Sequence, residues 1–356
     1  MQNPFTTTFS KFPEYTYIST IEPKEIIENF SYDHPSEAVY KITGLRGSGK
    51  TVVLASVQEE FKSEENRING WSVYTLNPAR NMLTQLAAYL YSESFIKENS
   101  KSKSINLSAS AFGFGGGIGY SKTIDDRYFD YGVEIRKMLD IVKEENRKIM
   151  ICIDDVSKTP DMVVFALECS GWILSGYPIY FVCTGLYENI LELGNTKNLT
   201  FFRRGKTIET KPLHIIKMSE MYIEKLGVDN DTAIKLAELT RGYAYAFQQL
   251  GALYFQNDGA DIKNIISELK SELFSYSYEK IWEELSPKDK AFVMVMNEER
   301  PYKREEMLKL LGKDADKYSV YRDRLLKRGI IIAKQGYIEL NPPFFSEYVS
   351  KYGKFM

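Results

Sequence analysis

The chain has 356 residues, a formal net charge of −2, 44% hydrophobic and 26% charged residues. That length predicts two or three domains, and the near-neutral balance excludes a protein that is basic throughout, though not a local basic face. Three cysteines and two histidines argue against a zinc site or a histidine-dependent triad. Cys152, Cys169 and Cys183 sit in apolar stretches at no metal-ligand spacing and read as buried thiols of a reducing compartment. No apolar run reaches transmembrane length and the N-terminus lacks a signal-peptide pattern, so a cytoplasmic protein with no membrane contact is expected.

Residues 1–36 form a lead-in with Pro4, Pro13, Pro23 and Pro35 and one short helix, about Pro23 to Asn29. The simpler expectation is packing on the core; closing over a bound adenine is the alternative. Ala38 to Thr43 reads as a buried strand and Thr51 to Phe61 as a helix. Between them lies Gly44-Leu45-Arg46-Gly47-Ser48-Gly49-Lys50-Thr51, a full match to the phosphate-binding pattern G-x-x-x-x-G-K-[ST] in the strand-turn-helix setting that it requires. Gly44, Gly47 and Gly49 let the backbone curve round phosphates, with Arg46 and Ser48 adding loop N–H groups at the positive end of the helix. Lys50 is expected at the β- and γ-phosphates and Thr51 at Mg²⁺.

Trp71 to Leu76 reads as a second strand, and Pro78 to about Glu98 as a helix. At 101–123 an apolar–polar alternation surrounds Gly113, Gly115, Gly116, Gly117 and Gly119. It reads either as an inserted hairpin or as a surface loop. After a helix from Tyr128 to Glu145, the apolar run Ile149 to Ile153 has the signature of a buried parallel strand. It ends in Asp154-Asp155, where Asp154 is expected to hold Mg²⁺ and Asp155 to act as base or water-positioning carboxylate. Met162 to Leu174 reads as a helix. The next strand, Ile179 to Cys183, ends in Thr184, a candidate for orienting the attacking water. Arg203 and Arg204 precede a last strand, Thr207 to Thr210, and are candidates to reach the γ-phosphate of a neighbouring subunit. No N-K-x-D signal for guanine is present, so ATP is expected over GTP. The alternation of strands and helices predicts an α/β core with a parallel sheet covered on both faces.

From His214 to Tyr276 the pattern is helical, and from Tyr278 four short helices are followed by Ile330 to Ala333 and Tyr337 to Leu340 around Lys334-Gln335-Gly336. That order predicts a winged helix-turn-helix. The division expected is a lead-in (1–36), an ATPase core (37–213), a helical lid (214–276) and a winged helix (277–356). Between Arg300 and Lys334 eleven Lys/Arg face five acids. Lys317 to Arg328 is the expected groove helix, with Val320, Leu325 and Leu326 inward. Ser319, Arg322, Asp323 and Lys327 are candidates for the groove and Lys334 for phosphate.

With these residues in view, the chain resembles the AAA+ ATPases of the origin-recognition type, overlapping the STAND signalling ATPases. The resemblance rests on residues 44–51, Ile-Cys-Ile-Asp-Asp at 151–155, Phe-Phe-Arg-Arg at 201–204, Thr-Arg-Gly-Tyr-Ala-Tyr-Ala-Phe-Gln at 240–248 and the C-terminal winged helix. It implies an ATPase core, a helical lid and a winged helix, with Arg241 as the lid arginine nearest to ATP. Asp155 stands where AAA+ members usually carry Glu, and Gly242-Tyr243-Ala244 lacks the proline of the STAND lid motif. The shorter acid, with an arginine expected from a neighbouring subunit, implies slow hydrolysis, under about 1 s⁻¹. The function expected is nucleotide-controlled binding of double-stranded DNA. The alternative is a signalling or defence switch that binds proteins, and a homo-oligomer fits either. A small-molecule kinase fits the helical C-terminal half poorly.

Overall fold

The computed structural model describes residues 2–8, 11–99, 130–258 and 262–353. The expected hairpin at 101–123 lies outside them. The chain divides into two compact units. One comprises Pro23–Ile42 and Leu54–Ile208, the other Met1–Glu22, Thr43–Val53 and Glu209–Met356.

The first unit is built on a five-stranded sheet. Its strands are β1 (Val39–Thr43), β2 (Trp71–Leu76), β3 (Lys148–Ile153), β4 (Ile179–Gly185) and β5 (Lys206–Glu209), in the order β2-β3-β4-β1-β5. β2 pairs with β3 in parallel from Trp71↔Lys148 to Leu76↔Ile153, and β3 pairs with β4 in parallel from Ile149↔Ile179. Ile149 to Ile153 are fully buried, because side chains of alternate sign point into two covered faces. On one face Phe30 of α1 (Ile21–Ser31) and Phe61 of α2 (Lys50–Lys62) pack with Trp71 and Tyr180, ring centroids 4.5–6.1 Å apart. On the other lie Met138 and Leu139 of α6 (Tyr131–Glu144) and Phe165 and Trp172 of α7 (Pro160–Leu174), all buried. Burial pushes the Cys152 and Cys169 thiols up to about 12, which keeps them protonated.

Two local expectations are corrected in this unit. Pro78 does not open a helix. Asn77 forms a turn, accepting from Ala79 N at 2.9 Å, and Asn81 caps α4 (Met82–Ser92) by accepting from Thr84 N at 2.9 Å. The run to Glu98 is also broken. Glu93 is extended, with its carboxylate taken by the Tyr74 hydroxyl at 2.8 Å, and α5 (Ser94–Asn99) begins after it. A short α3 (Glu64–Ile68) lies between α2 and β2. After β4 come α8 (Tyr187–Gly194) and α9 (Thr200–Arg204).

In the second unit, α10 (Ile215–Leu226), α11 (Asn230–Leu239), α12 (Ala244–Gln256) and α13 (Ile262–Leu273) share one hydrophobic core with the C-terminal elements. A π turn at Phe274–Tyr278 carries α13 directly into α14 (Glu279–Glu283); such wide turns are frequent at functional sites. The C-terminal elements are α15 (Pro287–Met294), β6 (Tyr302–Lys303), α16 (Arg304–Leu311), α17 (Tyr318–Lys327), β7 (Ile331–Lys334), β8 (Tyr337–Leu340) and α18 (Phe345–Tyr352). The strands form a small antiparallel sheet, β6-β8-β7, an arrangement compatible with a winged helix. Val320, expected inward, is 61% exposed, whereas Tyr318, Tyr321 and Leu325 are buried. The helix is turned so that its aromatic residues fill the core. Among the described residues no helix is long and apolar enough to cross a membrane.

Candidate functional site

The glycine-rich loop leaves β1 and enters α2 at Lys50. Gly47 and Gly49 have φ of +75° and +93°, values that a side chain would strain. Ser48 N donates to Leu45 O at 3.1 Å and Val53 N to Gly49 O at 3.0 Å. The Lys50 ammonium donates to Gly44 O at 3.2 Å and Leu45 O at 3.0 Å. The result is a closed turn leading into a helix N-terminus, which favours anions. Ser48 Oγ and Thr210 Oγ1 share a hydrogen bond of 2.7 Å, and Thr210 N donates to Thr43 O at 2.9 Å.

The residues before and at the start of α12 hold the outer side of this loop. Tyr245 N donates to Gly47 O at 3.1 Å. The Tyr243 hydroxyl donates to Arg46 O at 2.7 Å and shares a 2.6 Å hydrogen bond with Ser277 Oγ in the π turn. Burial pushes the Tyr243 phenol well above its ordinary range. A Cβ on Gly47 would lie 2.5 Å from that hydroxyl, so the loop glycine also makes room for the tyrosine. The Arg46 guanidinium pairs with Glu284 at 3.0 Å, so Arg46 offers its backbone to the loop while its side chain is engaged elsewhere. Arg241, with φ of +49°, has its guanidinium on Leu340 O at 3.0 Å and Glu299 at 2.8 Å. Tyr243, Ser277 and Glu284 were not legible as loop-holding residues. Only Gly242, with φ of +78° and its Cβ position 2.6 Å from Leu213 O, marks the place.

An open cleft adjoins the loop. Ser48, Gly49 and Val52 form one side, and Thr210, Lys211 and Leu213 another. Ala244 and Gln248 come from α12, while Pro13, Tyr17, Ile18 and Glu22 come from the lead-in. The lead-in therefore lines part of the cleft. It is fastened to α12 through Gln248, whose Oε1 accepts from Thr6 N and Thr16 Oγ1, both at 2.9 Å. Phe5 packs on Tyr222 and Phe247 at 5.8 and 6.0 Å.

In the sheet unit, Asp154 is half-buried and Asp155 exposed at the end of β3. Thr184, fully buried, donates to Asp154 Oδ1 at 2.5 Å and accepts from Asp155 N at 2.8 Å. The hydroxyl of Thr184 thus fastens the acid pair. Asp155 has φ of +55°, a conformation costly for a residue with a side chain. Arg203 and Arg204 are exposed at the end of α9. The Lys41 ammonium, its pKa lowered by burial, holds that helix end by donating to Phe202 O at 2.7 Å and Arg203 O at 3.2 Å.

On α17, Ser319, Asp323 and Lys327 are exposed and Arg322 is half-buried against Asp323 at 3.0 Å. Lys334 pairs with Glu339 at 2.9 Å. Two other basic residues of this stretch turn inward: Arg324 and Arg328 both meet buried Asp289, at 2.5 and 3.7 Å. The outward charge is thus smaller than the sequence tally.

Residues 275–349 match a family described as a domain of unknown function, DUF8462. No curated protein sequence is similar to the chain. Among solved structures, the Walker-type ATPase PABY2304 of Pyrococcus abyssi is similar at 13% identity and a TM-score of 0.62, over 95% of this chain and 97% of that one. The ORC2 protein of Aeropyrum pernix, in its ADPNP–ADP complexes, is similar at 11% identity and a TM-score of 0.56, over 93% and 92%. At such identities the likeness speaks for the fold, and the chain has the fold of an origin-recognition-like P-loop ATPase.

Proposed function

We propose that the chain binds ATP with Mg²⁺, hydrolyses it slowly, and uses the nucleotide state to control binding of double-stranded DNA by its C-terminal helices. The observation that carries the nucleotide reading is the loop at 44–51, closed on itself by Lys50 at the start of α2. Its N–H groups and the Lys50 charge suit the β- and γ-phosphates. The cleft beside it, walled by Ile18, Val52 and Leu213, suits the flat face of a base. The solved structure of the Aeropyrum pernix ORC2 protein with ADPNP and ADP supports the same assignment by likeness of fold.

Thr51 and Asp154 offer hard oxygen donors, which fit Mg²⁺, and that ion would supply neutralising charge at the phosphates. Thr184 holds Asp154 and Asp155 in place, and Asp155 positions the attacking water. Its side chain is one methylene shorter than Glu, and Arg203 or Arg204 is assigned to a neighbouring subunit, so an isolated chain turns over slowly. In the C-terminal unit, Ser319, Arg322 and Lys327 are assigned to the groove and Lys334 to a DNA phosphate. A protein partner is the second reading, favoured by the exposure of Val320 and the pairing of Arg322 and Lys334 within the chain.

Calorimetry with ATP and Mg²⁺ tests the core of this proposal. The wild-type chain binds, and Lys50→Ala loses more than about tenfold in affinity, as expected when a charge-assisted contact is removed. Equal affinity in the two proteins would remove the phosphate-loop assignment.

A further inference from the structure

We infer that Glu22 reads the base of the nucleotide, its Oε2 accepting the exocyclic amino group of adenine. This rests on the nucleotide reading above and adds the residue that selects the base. Glu22 is 4% exposed and lines the same cleft as Ser48, Gly49 and Val52. Its Oε1 accepts from Lys211 N at 2.8 Å, which fixes the carboxylate. Its Oε2 is buried without a hydrogen-bond partner.

A buried carboxylate oxygen with no donor is a standing cost to the fold and calls for an explanation. A ligand N–H removes that cost. The cleft also carries hydroxyl and amide donors, and several of these are engaged with one another: Thr16 donates to Gln248, which also holds Thr6 N, and Ser48 shares a hydrogen bond with Thr210. One oxygen remains for the ligand, and a single amino donor satisfies it. Adenine carries such a donor at C6. A 6-oxo purine places an acceptor there, oxygen against oxygen, so the same geometry rejects it.

Nucleotide affinity is measured for ATP, ITP and purine riboside triphosphate, which is ATP without the amino group. The wild-type chain is expected to bind ATP about tenfold or more tightly than purine riboside triphosphate, the scale of a hydrogen bond to a charged group. Glu22→Ala brings that ratio to about one. Glu22→Gln keeps the shape and the oxygen for Lys211, turns an amide N–H₂ toward the base, and shifts preference toward ITP. Equal wild-type affinity for ATP and purine riboside triphosphate overturns the inference and leaves the nucleotide reading standing; this comparison needs no variant to fold. A ratio that persists in Glu22→Ala overturns it as well. A wild-type chain that binds none of the three overturns both.

Discussion

Tyr243→Phe isolates one oxygen atom that joins the phosphate loop to the helices after it. The ring stays, still packed 6.4 Å from the rings of Tyr245 and Tyr278, so the loss is confined to two hydrogen bonds. One leaves Arg46 O without its 2.7 Å donor; the other strands the Ser277 hydroxyl, which is fully buried. A buried polar group left unpaired costs about 1–3 kcal/mol, and a second, partly exposed acceptor adds less. The expected loss of stability is about 2 kcal/mol. Urea unfolding of the wild type, Tyr243→Phe, Ser277→Ala and the double variant measures it. Ser277→Ala removes the stranded hydroxyl, so it should restore about 1 kcal/mol in the Tyr243→Phe background while costing stability in the wild type. A loss below about 0.5 kcal/mol for Tyr243→Phe, or an identical effect of Ser277→Ala in both backgrounds, would refute the coupling.

Two further outcomes are expected of the C-terminal unit. Asp289→Ala leaves Arg324 and Arg328 without the buried carboxylate between them, and breaking such a buried pair costs about 3–5 kcal/mol; thermal and urea unfolding report it, and a loss under about 1 kcal/mol contradicts the burial argument. Arg322→Ala with Lys327→Ala weakens duplex DNA binding, with affinity falling steeply as salt rises. Absence of duplex binding at low salt by the wild type, with ATP, ADP or neither, selects the protein-partner reading.

The sheet unit was readable because each strand is local and covered. β2 runs from Trp71 to Leu76 as expected, and the buried run at Ile149 to Ile153 lies on β3. Misreadings occur where a side chain redirects the backbone. Asn77 and Asn81 compete for backbone N–H groups and displace the start of α4 from Pro78. The Tyr74 hydroxyl claims Glu93 and divides the following helix. Apolar period alone gave Val320 an inward place on α17. The large rings of Tyr318 and Tyr321 bury more apolar area than a valine does, and the helix turns to seat them.

The candidate site divides along the same line. The loop at 44–51 and the acids at 154–155 are contiguous in sequence, and their chemistry is written in residue type and spacing. The residues that hold the loop are not. Arg46 meets Glu284 at a separation of 238 residues, and Tyr243 meets Ser277 across 34. No period or motif links such positions; each pairing exists only once the chain has folded. Charge counting fails for a related reason. Eleven basic residues between Arg300 and Lys334 suggest a basic face, but a count cannot distinguish a cation in water from one turned inward. Arg324 and Arg328 belong to the second kind, because Asp289, outside the counted stretch, is buried between them. A charge tally over a helical stretch is therefore an upper bound on what a nucleic acid would meet, and the bound tightens with every buried acid that the fold brings beneath it.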